Sequence, residues 1–264
     1  MKKAYAVFLR NIYVLRSSPT RVVPYILWAA LDIVLWGFIT KYLDAVGNSG
    51  FSFVPTLLGA VLLWDFLTRV QQGVTTPFLE DVWQKNFLNM FASPITIGEY
   101  LWGFVLSSIL TSFIGLVIMV ALAGILFHLS LLQLGVFILP FGAILFLCGI
   151  ALGIFGAAII LRFGPSAEWL IWPIPAVLSP FVGVFYPIAV LPHWMQGIAL
   201  ALPPAYVFQG MRGILEGTGA SFSTMILGIV LSLVYLLLSY LFFMIVYRVV
   251  LKNGLIARFS AENV

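Results

Sequence analysis

Between Tyr100 and Leu161 the sequence contains no Asp, Glu, Lys or Arg. Two long apolar stretches, Tyr100–Phe127 and Leu129–Leu161, are separated there by His128 alone. A helix needs about 20 mainly apolar residues to cross the hydrocarbon core of a bilayer, and either stretch supplies more. A soluble core has no room for both. Soluble domains are about half apolar and a quarter charged, whereas 62% of these 264 residues are hydrophobic and 8% charged. The expected fold is an all-α polytopic membrane protein, because lipid admits only elements that satisfy their backbone internally.

Four further runs join these two. Val22–Thr40 is interrupted by Asp32, and Phe51–Thr75 contains Asp65 and Arg69. Trp169–Val190 is punctuated by Pro173, Pro175 and Pro180, and Thr224–Tyr247 closes the set. Six transmembrane helices place both termini on one side. Lys2, Lys3, Arg10, Arg16 and Arg21 precede the first run, and Arg248, Lys252 and Arg258 follow the last. Lys85 and Arg162 lie in the loops on that same side, while the other loops carry only Lys41 and Arg212. Basic residues collect on cytoplasmic loops, so both termini are expected in the cytoplasm and the chain in the inner (cytoplasmic) membrane. Cys148 is the single cysteine, which excludes an intramolecular disulfide.

Residues 1–21 read as an amphipathic interfacial helix rather than a cleaved signal, since no unbroken apolar core precedes a small-residue cleavage site. Tyr5, Phe8, Leu9, Ile12 and Leu15 share one face, and Lys3, Arg10 and Ser17 the other. Such a segment either lies on anionic membrane lipids or serves only as a basic anchor that fixes topology. Within the runs, Asp65 and Arg69 are spaced to pair on one helical face, as an internal ion pair or as a polar point on a transport path. Asp32 has no local partner. Gly149 and Gly153 form a G-x-x-x-G pattern that suits helix packing within the chain or between two copies. Trp28, Trp36 and Trp64 belong either to interfacial belts or to an aromatic conduit able to stack sugars. The sequence has no G-x-x-x-x-G-K-[ST] phosphate loop, no H-E-x-x-H and no nucleic-acid motif. Asp32 and Asp65 stand in "ALDIV" and "LWDFL", without the glycine-flanked context of an intramembrane aspartyl protease.

The most polar interior stretch is "TPFLEDVWQKNFLNMFASPITIGEYLWG", residues 76–103. Phe78, Val82, Phe87 and Met90 alternate with Glu80, Asp81, Gln84, Lys85 and Asn86 as in a short amphipathic helix. Ser93-Pro94 stops it, and Thr96 with Glu99 forms a capping box for the next helix. This is either a solvated interfacial loop or a surface for a soluble partner. Residues 186–219, beginning "YPIAVLPHWMQGIALALPPAYVFQG", are apolar but rich in proline. Runs five and six must point in opposite directions, so this segment begins and ends outside the cytoplasm. At about 1.5 Å per residue it is too short for two crossings and a turn. A re-entrant helical pair is expected, His193–Ala201 and Tyr206–Leu215, broken by Pro203-Pro204. Pro187 and Pro192 would set the entry bend, and Trp194, Tyr206 and Arg212 would sit at the headgroups.

These two blocks, in a six-span frame with the N-terminus inside, resemble the ABC type-2 transporter permeases over essentially the whole chain. The resemblance implies a single transmembrane domain spanning 1–264, a permease without its own ATPase motifs that moves an amphipathic or lipid-linked substrate (polysaccharide, drug, antibiotic or lipid) out of the cytoplasm. It implies a dimer, as a homodimer or with a similar second permease, and a separate ABC ATPase that carries the ATP and Mg while this chain binds no cofactor. That ATPase would grip a coupling region within 76–98, at Glu80, Asp81, Trp83, Gln84, Lys85, Asn86 and Phe87. Residues 186–219 would form the extracytoplasmic gate, with Trp28, Asp32, Trp36, Trp64 and Asp65 along the pathway. A secondary transporter or channel without an ATPase is the alternative.

Overall fold

The computed structural model describes residues 2–17, 19–46, 54–86, 89–90 and 93–254, and every regular element among them is helical. The long elements are α1 (Lys2–Ser17), α2 (Pro19–Val46), α3 (Gly59–Trp83), α4 (Ile97–Phe127) and α5 (Ile138–Phe163). Short pieces follow: α6 (Glu168–Ile171), α7 (Pro173–Val182), α8 (His193–Ala201) and α9 (Pro203–Leu215). The last helix is α10 (Phe222–Lys252). Among the described residues, three helical segments, Ile97–Phe127, Leu131–Phe163 and Phe222–Lys252, are long and apolar enough to cross a membrane.

Register contacts fix the directions of these helices. Tyr100 meets the end of α3 at Asp81, and Ser108 reaches the Val70 carbonyl in its middle, so α3 and α4 are antiparallel. Gly149 lies on Val70 and Gly153 on Val74, so α3 and α5 run parallel. Ser232 approaches the Ile144 carbonyl and Phe242 packs on Phe155, so α10 is parallel to both. Among these four helices α4 runs against the other three. The core lies along α3, whose residues Leu62, Leu67, Val70, Val74 and Phe78 have essentially no exposed surface. Phe78 collects the rings of Tyr100, Phe104 and Phe243 at one end.

The G-x-x-x-G pattern serves packing within the chain. A Cβ built on Gly149 would stand 2.7 Å from Val70 Cβ, and one on Gly153 2.7 Å from Val74 Cβ. Backbone approach of this kind is how helices gain dispersion contacts in lipid, where no hydrophobic force drives them together. Gly149→Leu and Gly153→Leu are each expected to lower stability by at least about 1–3 kcal/mol, the usual cost of overpacking. Thermal unfolding in detergent checks this, and unchanged melting would show the two helices free to separate.

Four boundaries differ most from the sequence expectation. The second run does not stop at Thr75: α3 continues through Pro77 to Trp83, because Phe78, Leu79, Asp81 and Val82 all bury their side chains. The fourth run starts late. Leu131–Phe137 is a tight helical turn with Gly135 at φ 56°, and α5 begins only at Ile138. The fifth run ends early, at Val182, where Gly183 takes φ 67° and caps the helix in the left-handed region. That run begins instead near Pro165 and kinks between Trp172 and Pro173.

Candidate functional site

Three places gather the polar chemistry of this bundle. The first is the junction where α3 ends and α4 begins. Gln84 caps α3, and Lys85 takes the left-handed conformation, φ 56°. The Lys85 N–H donates to the Val82 carbonyl at 3.1 Å and the Asn86 N–H to the Asp81 carbonyl at 2.9 Å. This is the Schellman arrangement with lysine where glycine is usual. On the far side of the loop the capping box forms as expected. Glu99 N–H donates to Thr96 Oγ1 at 3.3 Å and the Thr96 N–H to Glu99 Oε2 at 3.1 Å.

Asp81 lies inside this junction, not on its surface. It is 5% exposed. Its Oδ2 accepts from Arg10 Nη2 at 2.5 Å and from the Tyr100 hydroxyl at 2.6 Å. Arg10 also donates to Met90 Sδ at 3.0 Å, and Lys3 donates to the Pro94 carbonyl. α1 is therefore tied to α3, to α4 and to the loop between them. Its inward face is Ala4, Val7 and Asn11, not the Tyr5–Phe8–Ile12 stripe. The reason is the surface that α4 offers. Gly103 leaves a notch that Val7 fills, and Ser107 accepts from Asn11 Nδ2 at 3.1 Å. Tyr5 and Tyr13 are left exposed. Arg10 thus leaves the polar outer face that periodicity assigns it, because a buried carboxylate needs a partner.

Of the remaining residues expected at this end, Trp83 and Gln84 are exposed and Glu80, Lys85 and Asn86 are half-buried. Phe87 lies outside the described residues. Sequence reasoning missed Arg10 and Tyr100 as partners of Asp81. Tyr100 falls one residue after the capping-box glutamate, opposite the last turn of α3, and that spacing is the signal that pointed to it.

The second place is a cavity of about 460 Å³ between α2, α3 and the Trp172 kink. Trp28, Asp32, Asp65, Thr68, Arg69, Gln72 and Trp172 line it. Trp28, Asp32 and Asp65 are thus brought together, but Trp36 and Trp64 go elsewhere. Trp36 stacks on Phe185 with ring centroids 5.0 Å apart, and Trp64 is buried beside Phe208. A conduit lined by Trp28, Trp36 and Trp64 together does not form, because two of the three rings are spent on packing. Asp65 and Arg69 face the same cavity, and Arg10–Asp81 is an ion pair within 4 Å among the described residues. Arg69 lays its chain across Gly115 of α4, its Cδ 3.0 Å from where a Cβ would stand. Thr68, Arg69 and Gln72 follow Asp65 at helical spacing, which makes this wall legible once α3 is known to be helical throughout.

The third place is the α8–α9 pair. α8 spans His193–Ala201 as expected, and α9 starts at Pro203, three residues before the expected Tyr206. Pro203 and Pro204 do not break the pair from within. They occupy the first turn of α9, where a missing N–H costs nothing. Tyr206 and Arg212 turn inward instead of to headgroups. Tyr206 donates to the Leu200 carbonyl at 2.6 Å, and Arg212, 6% exposed, donates to the Val184 carbonyl at 2.7 Å. A helix packed on this side has carbonyls to satisfy, and the longest donors nearby satisfy them. Trp194 remains exposed, edge-on to Phe181. Pro187 and Pro192 flank the Ile188–Val190 turn, Pro187 at ψ 142° and Pro192 at ψ 149°.

No curated protein matches the chain. The family model described as ABC-2 type transporter matches residues 18–215, a span that runs from α2 through the whole of α9 and takes in the three places apart from α1. With long apolar helices packed along α3 and a junction that ties an N-terminal helix to the loop before α4, the chain belongs to the ABC-2 type transporter family, as a multi-pass membrane permease of an ABC-type transporter.

Proposed function

We propose that this permease is the membrane subunit of an ATP-driven exporter in the inner membrane, working as a homodimer with both termini in the cytoplasm. A separate ABC ATPase, which carries the ATP and Mg, docks on the cytoplasmic end at residues 80–90. The observation that carries this reading is the Asp81 junction. A rigid body made of α1, the last turn of α3 and the first turn of α4 converts a push on the loop into movement of two spans. An isolated loop would absorb the push. Asp81 holds that body together from within, and Trp83, Gln84 and Lys85 supply the contact. The cavity beside Asp32 and Asp65 is the cytoplasm-facing part of the route, which an amphipathic or lipid-linked substrate follows outward. The α8–α9 pair dips into the outer leaflet as the extracytoplasmic gate.

Co-purification with the partner ATPase tests the docking site. Trp83→Ala combined with Lys85→Glu is expected to weaken capture of the ATPase about tenfold or more, since an exposed tryptophan and its neighbouring charge are typical binding anchors. Both positions lie outside the packed core, so folding is preserved. Undiminished capture would move the contact elsewhere on the chain.

A further inference from the structure

A second cavity, of about 310 Å³, lies beside α1. It follows the seam between α3 and α4, from Arg69 to Glu80 on the first helix and from Ser107 to Ile118 on the second. About three turns on each side make it about 16 Å long. That length matches one leaflet, half of a hydrocarbon core about 30 Å thick. Ile12, Leu15 and Arg16 line it from α1, and Ala29 from α2. Leu110 and Ile114 are exposed, so the cavity opens along α4. The hydroxyls that α4 places there are turned back on their own helix. Ser107 donates to the Gly103 carbonyl and Thr111 to the Ser107 carbonyl, each at 3.0 Å, and Ser112 donates to the Ser108 carbonyl. Asn11 uses both ends of its amide, on Ser107 and on Arg10. Polar groups satisfied in this way leave an apolar wall, which suits hydrocarbon and not a sugar. The charged lining residues differ in what they have left to bind. Arg69 acts on the carboxylates of Asp32 and Asp65, and Glu80 is engaged within the protein. Arg16 is exposed in the last turn of α1 and has no ion-pair or hydrogen-bond partner among the described residues.

We propose that this cavity binds one anionic phospholipid, an acyl chain lying along the α3–α4 seam and the phosphate on Arg16. Each part of the lining has a role in that fit. A guanidinium matches a phosphate with two parallel hydrogen bonds, and anionic lipid gathers wherever basic residues meet the membrane surface. The chain covers Leu110 and Ile114, whose apolar surface the protein itself leaves open. A zwitterionic lipid fills the same groove but brings a second, positive charge toward Arg16. Arg10 holds the middle of α1 through Asp81, and the bound lipid holds its last turn. The site needs neither the ATPase nor a direction of transport, so it goes beyond the exporter reading and stands apart from it.

Phosphatidylglycerol and phosphatidylcholine with identical acyl chains make the test. Binding of each to the full chain in a neutral detergent is counted by native mass spectrometry. One phosphatidylglycerol per chain is expected to bind at least about tenfold more tightly than phosphatidylcholine. Arg16→Gln should remove that preference and leave phosphatidylcholine binding unchanged. Arg248→Gln removes an exposed cation outside the cavity and should leave the preference intact. Ile114→Trp fills the groove from its open side and should weaken both lipids about tenfold. Water-soluble glycerophosphoglycerol, the headgroup without its chains, should fail to compete. Equal affinity for the two lipids, a preference that survives Arg16→Gln, or an equal loss in Arg248→Gln overturns the proposal. Undiminished binding in Ile114→Trp overturns it too, as does displacement of phosphatidylglycerol by the chain-free headgroup, which would leave a surface phosphate site only. Arg16 lies on the exposed face of α1, so its variant keeps the fold and decides the matter even if Ile114→Trp fails to fold.

Discussion

Asp81→Ala is expected to destabilise the bundle by about 3 kcal/mol and to abolish ATP-coupled transport while the ATPase still binds. Removing one member of a buried ion pair costs about 3–5 kcal/mol, because the other charge is left without compensation. Arg10 keeps 27% of its side chain in contact with solvent, which puts this case at the low end. The Tyr100 hydroxyl loses its acceptor as well. The functional loss is larger than the structural one. Asp81 is where α1, α3 and α4 meet, and without it the loop above moves independently of the spans below. A compensated variant separates the two effects. Arg10→Met with Asp81→Asn removes both charges and leaves an acceptor for Tyr100, so it should recover more than half of the lost stability. Unfolding in mixed micelles gives the stability, and substrate uptake into inverted proteoliposomes gives the coupling. If Arg10→Met and Asp81→Ala prove additive, the pair is not a unit and the latch does not exist.

The same junction shows which parts of this protein are legible in sequence. Local chemistry was readable wherever a few neighbouring residues decide the outcome. Thr96 and Glu99 cap α4 because both partners lie within four residues. His193–Ala201 is bounded by Pro192 and Pro203, each of which restricts the backbone whatever lies around it. Gly149 and Gly153 are small on one helical face, and only the identity of the helix they meet had to wait for the fold. Long-range choices were not readable. Periodicity puts Arg10 on the wet side of α1 and Arg69 on one face with Asp65, and it foretells neither of the long-range contacts these side chains make. Arg10 is drawn to Asp81, 71 residues away, and Arg69 to a notch at Gly115 on another helix. A long cationic side chain has many rotamers and few local constraints. Its partner is therefore set by the packing of whole helices, which no short stretch of sequence encodes. The overrun of α3 past Pro77 has the same origin: burial of Phe78 and Val82 outweighs a local helix-breaking signal.

Arg212→Ala is expected to open the α8–α9 pair and make the permease leaky, with loss of net transport at nearly unchanged ATP hydrolysis. Arg212 is the only lysine or arginine between Arg162 and Arg248, and the bundle buries it to 6% exposure. What it gains there is the Val184 carbonyl, in the bend just after the Gly183 cap, together with a longer contact to Phe208 of its own helix. A charged donor on a buried carbonyl contributes about 1.5–3 kcal/mol, and deleting it leaves that carbonyl unsatisfied. The bond spans two elements that otherwise meet through apolar contacts, so its loss frees α9 from the end of α7 without unfolding either helix. Arg212→Lys keeps the charge, but it replaces a planar fork with a shorter-reaching ammonium. It should fall between alanine and the native protein in leak. Efflux of a preloaded dye from proteoliposomes without ATP measures the leak, and phosphate release measures hydrolysis. A tight membrane in Arg212→Ala would mean that the pair is a fixed plug and that the outward path opens elsewhere.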